Sequence, residues 1–191
     1  YFNFEEWSQV NPVEVAEKYN SAYAPALLSA GRKNHIRLVC DSESCHVYAN
    51  NEVIGHAPFG TENRISALGF FTASNWDQQF GRIILENLVV TERAGGWPEL
   101  RTFTLADDLK EDRGIFSQMG LSCAFSEFES DGFHFSPVIP YGYYSAKTGP
   151  ALQNMTVKVT INMEFDPGVR ATQYAGVVCR SSLDGMVIAI V

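Results

Sequence analysis

The residues able to do chemistry are few and dispersed. Four cysteines, Cys40, Cys45, Cys123 and Cys179, stand in strand-like surroundings. There is no Cys-x-x-Cys pair and no Cys/His cluster at ligand spacing, which argues against a zinc site. An even count in a β-rich acidic chain favours two disulfides and an oxidising compartment over four buried free thiols. Cys40 and Cys45 flank a four-residue turn on one face, within geometric reach of a cross-strand bridge. His35, His46, His56 and His134 are scattered through strand patterns, and no Ser/His/Asp or Cys/His arrangement emerges. Glu127 and Glu129 share a face two residues apart, the pattern of a solvated strand edge. Asn154-Met-Thr156 is a glycosylation sequon at the start of a strand. No catalytic residue is assigned, and the chain reads as non-enzymatic.

Composition narrows the class. A chain of 191 residues with 19% charged and 13% aromatic residues can bury a real core and is not of disordered composition. A net charge of −8 argues against a nucleic-acid partner, because phosphate binding needs a basic face. The longest apolar run, residues 186–191, is far too short to span a bilayer. The sequence begins at Tyr1 rather than Met and shows no signal peptide, so a preceding segment is expected to have been removed.

The elements that would position these residues are strands. Residues 34–54, NHIRLVCDSESCHVYANNEVI, form the organising ribbon. Ile36, Leu38 and Cys40 share one face and Cys45, Val47 and Ala49 the facing one. Asn50-Asn51 tolerates positive φ and predicts a tight turn. Residues 1–7 open on a strand. Residues 11–30 are expected to be a long connection holding at most a turn or two of helix around Val13, Ala16 and Glu17, bounded by Pro12 and Pro25. Further strands are expected at residues 65–72, 81–91, 102–109, 124–136, 155–165, 174–181 and 186–191, with residues 93–101 as a Gly/Pro-bearing linker. Residues 137–152 read as a loop with an edge strand. The total is ten to twelve strands, essentially no helix, and an all-β sandwich or jelly roll.

NHIRLVC…CHVYANNEVIGHAPF, then ISALGFFTA, then GRIILENLVVTE, resembles the closing half of a concanavalin A-like/laminin G-like jelly roll, with its "N-R-L-R-V…LYVNG" hairpin, "GRVGLF" strand and final "FDNFRV" strand. The segment TFTLADDL…ESDGFHFS…NMTVKVTINMEF…YAGVVCRSSLDGMVIAIV is similar to the opening half of that family. The order is therefore permuted: residues 1–92 form a closing half, 93–101 a linker and 102–191 an opening half. Three readings follow: a permutant closed on itself, one period of a tandem-repeat protein, or a chain completed by the complementary half of a neighbouring copy in a head-to-tail polymer. Half a jelly roll exposes unpaired edges and an apolar face. A non-closing contact between copies propagates as a filament.

The resemblance implies sites as well. It pairs Cys40 with Cys179, leaving Cys45 with Cys123, and this inter-half pairing is preferred here to Cys40–Cys45 with Cys123–Cys179. It implies a glycan groove, for which Tyr141, Tyr143 and Tyr144 in PYGYY and Trp76 in SNWD are candidates, although such rings also pack at loop bases. It implies a structural calcium ion held by Asp131 and Glu86, and otherwise no cofactor. Glucanases of this fold use the pattern E-x-D-x-x-E, whereas Glu164-Phe-Asp166 is followed by Pro167 and Gly168 and then no Glu. The reading that results is an extracellular structural protein, a subunit or repeat of a surface filament or adhesive fibre, whose partners are copies of itself or neighbouring repeats. The alternative is a carbohydrate-binding module of a secreted multidomain protein.

Overall fold

The computed structural model describes residues 2–8, 15–22, 24–29, 31–41, 44–57, 67–74, 81–94, 101–114, 116–117, 124–137, 141–146, 154–164, 173–180 and 184–190. Among them the chain is all-β: fifteen strands, antiparallel throughout, and no helix. The strands are β1 (Phe2–Ser8), β2 (Val15–Ala22), β3 (Asn34–Cys40), β4 (Cys45–Ala49), β5 (Glu52–Ala57), β6 (Ala67–Ser74), β7 (Arg82–Ala94) and β8 (Arg101–Asp107). They continue with β9 (Phe116–Ser117), β10 (Ala124–Glu129), β11 (Gly132–Pro137), β12 (Tyr141–Ala146), β13 (Met155–Glu164), β14 (Gln173–Arg180) and β15 (Asp184–Ile190). One sheet has seven strands in the order β2-β1-β15-β14-β6-β12-β9. The other has eight, running β10-β11-β7-β13-β3-β4-β5 with β8 also on β7.

A single apolar core joins the two sheets. Ile36 and Leu38 of β3, Val47 of β4, Leu85 and Leu88 of β7 and the alternate residues Met155, Val157, Val159 and Ile161 of β13 bury their side chains in the eight-stranded sheet. Phe70 of β6 and Ala175 and Val177 of β14 meet them from the other sheet. This sandwich-like packing is what period-two alternation produces when one face of each sheet is apolar. The expected alternation of β3 and β4 is present residue by residue, in the burial patterns of both strands. Asn50 and Asn51 take φ of 51° and 73°, as the tight turn between β4 and β5 requires.

Three elements differ from their sequence expectation. Residues 15–22 are strand β2 rather than a turn of helix, because β1 has an edge to satisfy: Phe4 lies opposite Tyr19 and Trp7 opposite Val15. The 124–136 segment is a hairpin, β10 and β11, turning at Ser130-Asp131. The linker at 93–101 is shorter than its composition suggests, since Arg93 and Ala94 belong to β7 and pair with Thr102 and Arg101 of β8.

The seams of both sheets run between residues 1–92 and residues 102–191. β13 lies between β3 and β7, β14 and β12 flank β6, and β15 pairs β1 from Phe2↔Ile190 to Ser8↔Asp184. A bulge then lets β7 serve two partners on its other edge. Asn87 takes φ 55° where the register with β13 shifts, so that Ile83 to Leu85 pair β11 and Leu88 to Ala94 pair β8.

The alternation of β3 makes a direct stability test. Leu38→Ala is expected to lower unfolding free energy by about 2–5 kcal/mol. Val39→Ala, on the opposite face, is expected to cost less than about 1 kcal/mol. Urea denaturation followed by tryptophan fluorescence separates the two; equal costs would mean that β3 is not one-sided.

Candidate functional site

Most of the polar side chains with informative geometry lie on the face of the eight-stranded sheet turned away from the core. The β10–β11 hairpin builds one end of it. Glu129 closes β10, Ser130-Asp131 makes the turn and Gly132 starts β11. Gly132 has φ 151°, and a Cβ there would lie 2.5 Å from the Leu85 carbonyl oxygen, so only glycine lets the hairpin approach β7 this closely. The approach sets His134 opposite Ile84 of β7, and Ile84 opposite Asn162 of β13.

His134 is 3% exposed and ringed by charge. Its Nε2 lies 2.5 Å from Asp131 Oδ1, and its Nδ1 lies 3.4 Å from Glu129 Oε1. Only the first contact is a hydrogen bond; Nδ1 has no hydrogen-bond partner among the described residues. The hydrogen bond with His134 holds the exposed Asp131 carboxyl below its ordinary pKa, opposed by its own partial desolvation. Arg82 of β7 pairs with Glu129 through the same Oε1. Glu129, Asp131 and His134 each offer one donor atom within 4.8 Å of the others, the one such trio of His, Cys or acidic residues among the described residues.

Farther along this face, Lys33 holds the Glu86 carboxylate at 2.7 Å. Arg37 of β3 places its guanidinium 3.9 Å from the centroid of the Tyr48 ring. Arg37 Nε and Asn162 Oδ1 are both buried and have no hydrogen-bond partner among the described residues. His46 and His56 face each other across β4 and β5 with ring centroids 5.3 Å apart.

The sequence candidates fall as follows. Cys40 and Cys45 form a disulfide with Cα atoms 4.1 Å apart. This corrects the preferred inter-half pairing of Cys40 with Cys179 and Cys45 with Cys123. The reason is register: Asp41 N donates to Ser44 O and closes the hairpin, which sets Cys40 directly opposite Cys45. Cys123 and Trp76 lie outside the described residues; for Cys179, Tyr141, Tyr143 and Tyr144 only the strand backbone is described. Asp131 enters the trio above, whereas Glu86, whose carboxylate pairs with Lys33, is not a member of it. Glu164 is exposed at the end of β13, where Asn162 Nδ2 donates to it at 3.3 Å. Asp166 lies outside the described residues, and Glu127 is exposed opposite His134. Asn154 sits exposed at φ 50° just before β13, a local geometry open to modification.

Sequence reasoning missed the trio because it scanned for Cys and His at ligand spacings. The signal was Glu-x-Asp-Gly-x-His straddling a two-residue turn, which folds back so that residues three and five apart meet. No helix among the described residues is long and apolar enough to cross a membrane. No protein-family model matches the chain, and no curated protein sequence matches it.

Because the Cys40–Cys45 bridge spans one short hairpin, it cannot lock residues 1–92 to 102–191. The Cys40→Ala/Cys45→Ala variant is expected to lose about 2 kcal/mol of stability. Its size-exclusion profile should match the parent protein; a change in oligomeric state would show that the bridge also governs assembly.

Proposed function

We propose that the chain is an extracellular structural module of the concanavalin-like jelly-roll type, a closing half followed by an opening half that complement one another strand by strand. In this reading it serves as a subunit or repeat of a surface filament or adhesive fibre. The observation that carries it is the seam: every strand of residues 102–191 that enters the centre of a sheet pairs with a strand of residues 1–92. The ladder of β1 with β15 joins the first and last strands described by main-chain pairing. Such ladders are indifferent to whether their strands come from one chain or two. Opening the β7–β8 hairpin lets each half pair with the complementary half of a neighbour, and head-to-tail repetition of that contact makes a filament. An oxidising, extracellular setting accords with the Cys40–Cys45 disulfide.

A mixed cross-link tests the proposal. Phe4 and Ile188 are register partners, so Phe4→Cys chains are mixed with Ile188→Cys chains, refolded together and oxidised. Disulfide-linked hetero-pairs on a non-reducing gel are expected, the covalent link stopping at the pair because each chain carries one engineered cysteine. A monomer at every concentration with no mixed cross-link would overturn assembly between chains.

A second reading, a carbohydrate-binding module, draws support from Arg37 Nε and Asn162 Oδ1. Buried polar atoms cost free energy without a partner, and a hydroxyl-rich ligand supplies such partners. Glycan-array binding by the monomer, weakened at least about tenfold in Tyr48→Ala, is the expected result. Absence of binding to any glycan would remove this reading.

A further inference from the structure

We propose that Glu129 and His134, with Asp131 holding the imidazole, form a binding site for a divalent transition-metal ion of the zinc class, completed by water. His134 Nε2 donates to Asp131 Oδ1 at 2.5 Å, so in the neutral ring the lone pair is on Nδ1. That lone pair is buried, has no donor among the described residues and faces Glu129 Oε1, another acceptor, at 3.4 Å. A buried acceptor beside a half-exposed carboxylate oxygen suits a cation that both can hold, in addition to Arg82 on the carboxylate's own side. Donor atoms bound at about 2.0–2.2 Å around a tetrahedral ion stand about 3.3–3.6 Å apart, so the observed separation already fits.

The surroundings match the chemistry of such an ion. An imidazole and carboxylates suit zinc and its neighbours in the first transition row better than calcium, which takes six to eight oxygens. A carboxylate on the far nitrogen of a ligating histidine is the usual outer support of a metal site, orienting the ring and raising its basicity. Asp131 stands in that position. Glu129 is 40% exposed and Asp131 56%, so an ion has a route in and water has room to complete its sphere. Arg82 is the cation that now shares Glu129 Oε1; its side chain is 39% exposed and belongs to β7, so it can withdraw without disturbing the hairpin. In this arrangement the arginine competes with the metal.

Calorimetric titration of the intact chain with zinc chloride is the test, with manganese, calcium and magnesium chlorides as comparisons. One zinc ion per chain is expected at this site, with a rise in Tm on saturation. Glu129→Gln should abolish or weaken binding by at least tenfold, and Asp131→Asn by about 10–100-fold. Arg82→Gln should tighten it. His134→Gln should abolish it, and because that residue is buried, the exposed Glu129 carries the test if this variant fails to fold. His46→Gln/His56→Gln removes the other paired imidazoles and should leave the stoichiometry at this site unchanged. The proposal is overturned by no zinc binding, by binding indifferent to Glu129→Gln, or by binding lost only with His46 and His56. A His134 ring that NMR shows doubly protonated at neutral pH and unmoved by zinc would do the same, since an imidazolium bridging both carboxylates needs no metal.

Discussion

β13 must be satisfied on both edges at once, and the rest of the molecule follows from that. Its inner residues, Met155 to Met163 in alternation, are core, while Thr160 and Asn162 on its other face are buried as well. A strand in that position cannot leave backbone N–H and C=O groups unpaired, because water does not reach them. β3 supplies one ladder and β7 the other. Both come from residues 1–92, so the centre of the eight-stranded sheet cannot form until the two parts of the sequence meet. The contacts that define the core are therefore long-range in sequence, which implies slow, cooperative folding rather than local nucleation.

The bulge at Asn87 translates that constraint into a site. Without the extra residue, β7 would run straight and present one partner with its whole outer edge. With it, the strand twists, β8 takes the second part and the β10–β11 hairpin takes the first. Gly132 then allows the hairpin to close on Leu85, and His134 is carried beneath two carboxylates at the sheet's rim. Other polar groups serve the fold itself. Asn34, 5% exposed, accepts from Leu28 N and Asn50 Nδ2 and donates to the Leu28 carbonyl. It thereby pins the turn at residues 24–29 to the strand end. Buried Asp107 accepts from Leu109 N and from Arg113, holding the turn that tucks Leu109 into the core.

Particular residues show how far sequence reasoning reaches. The faces of β3 and β4 and the Asn50-Asn51 turn were legible, because alternation and positive φ are properties of a few consecutive residues. β2 was not, because Val15, Ala16, Glu17 and Lys18 are equally at home in a helix, and only the open edge of β1 decides between them. The cysteine partners were undecided for the same kind of reason. The distance from Cys40 to Cys45 depends on the turn between them, and the distance to Cys179 depends on the whole sheet order. The trio of Glu129, Asp131 and His134 was hidden because its members sit on two strands and a turn that read as one segment.

What the amino-acid sequence determined by itself was the class of structure: all-β, an apolar face on strands such as β3 and β4, tight turns where asparagine and glycine stand, and a net charge of −8. Those follow from side-chain periodicity and charge, which are local. Which strands neighbour which across the two sheets, and that the imidazole of the 129–134 hairpin is buried against β7, were decided by tertiary structure. Backbone hydrogen bonds carry no side-chain label, so a strand's partner is chosen by the geometry of the whole sheet and not by its own residues.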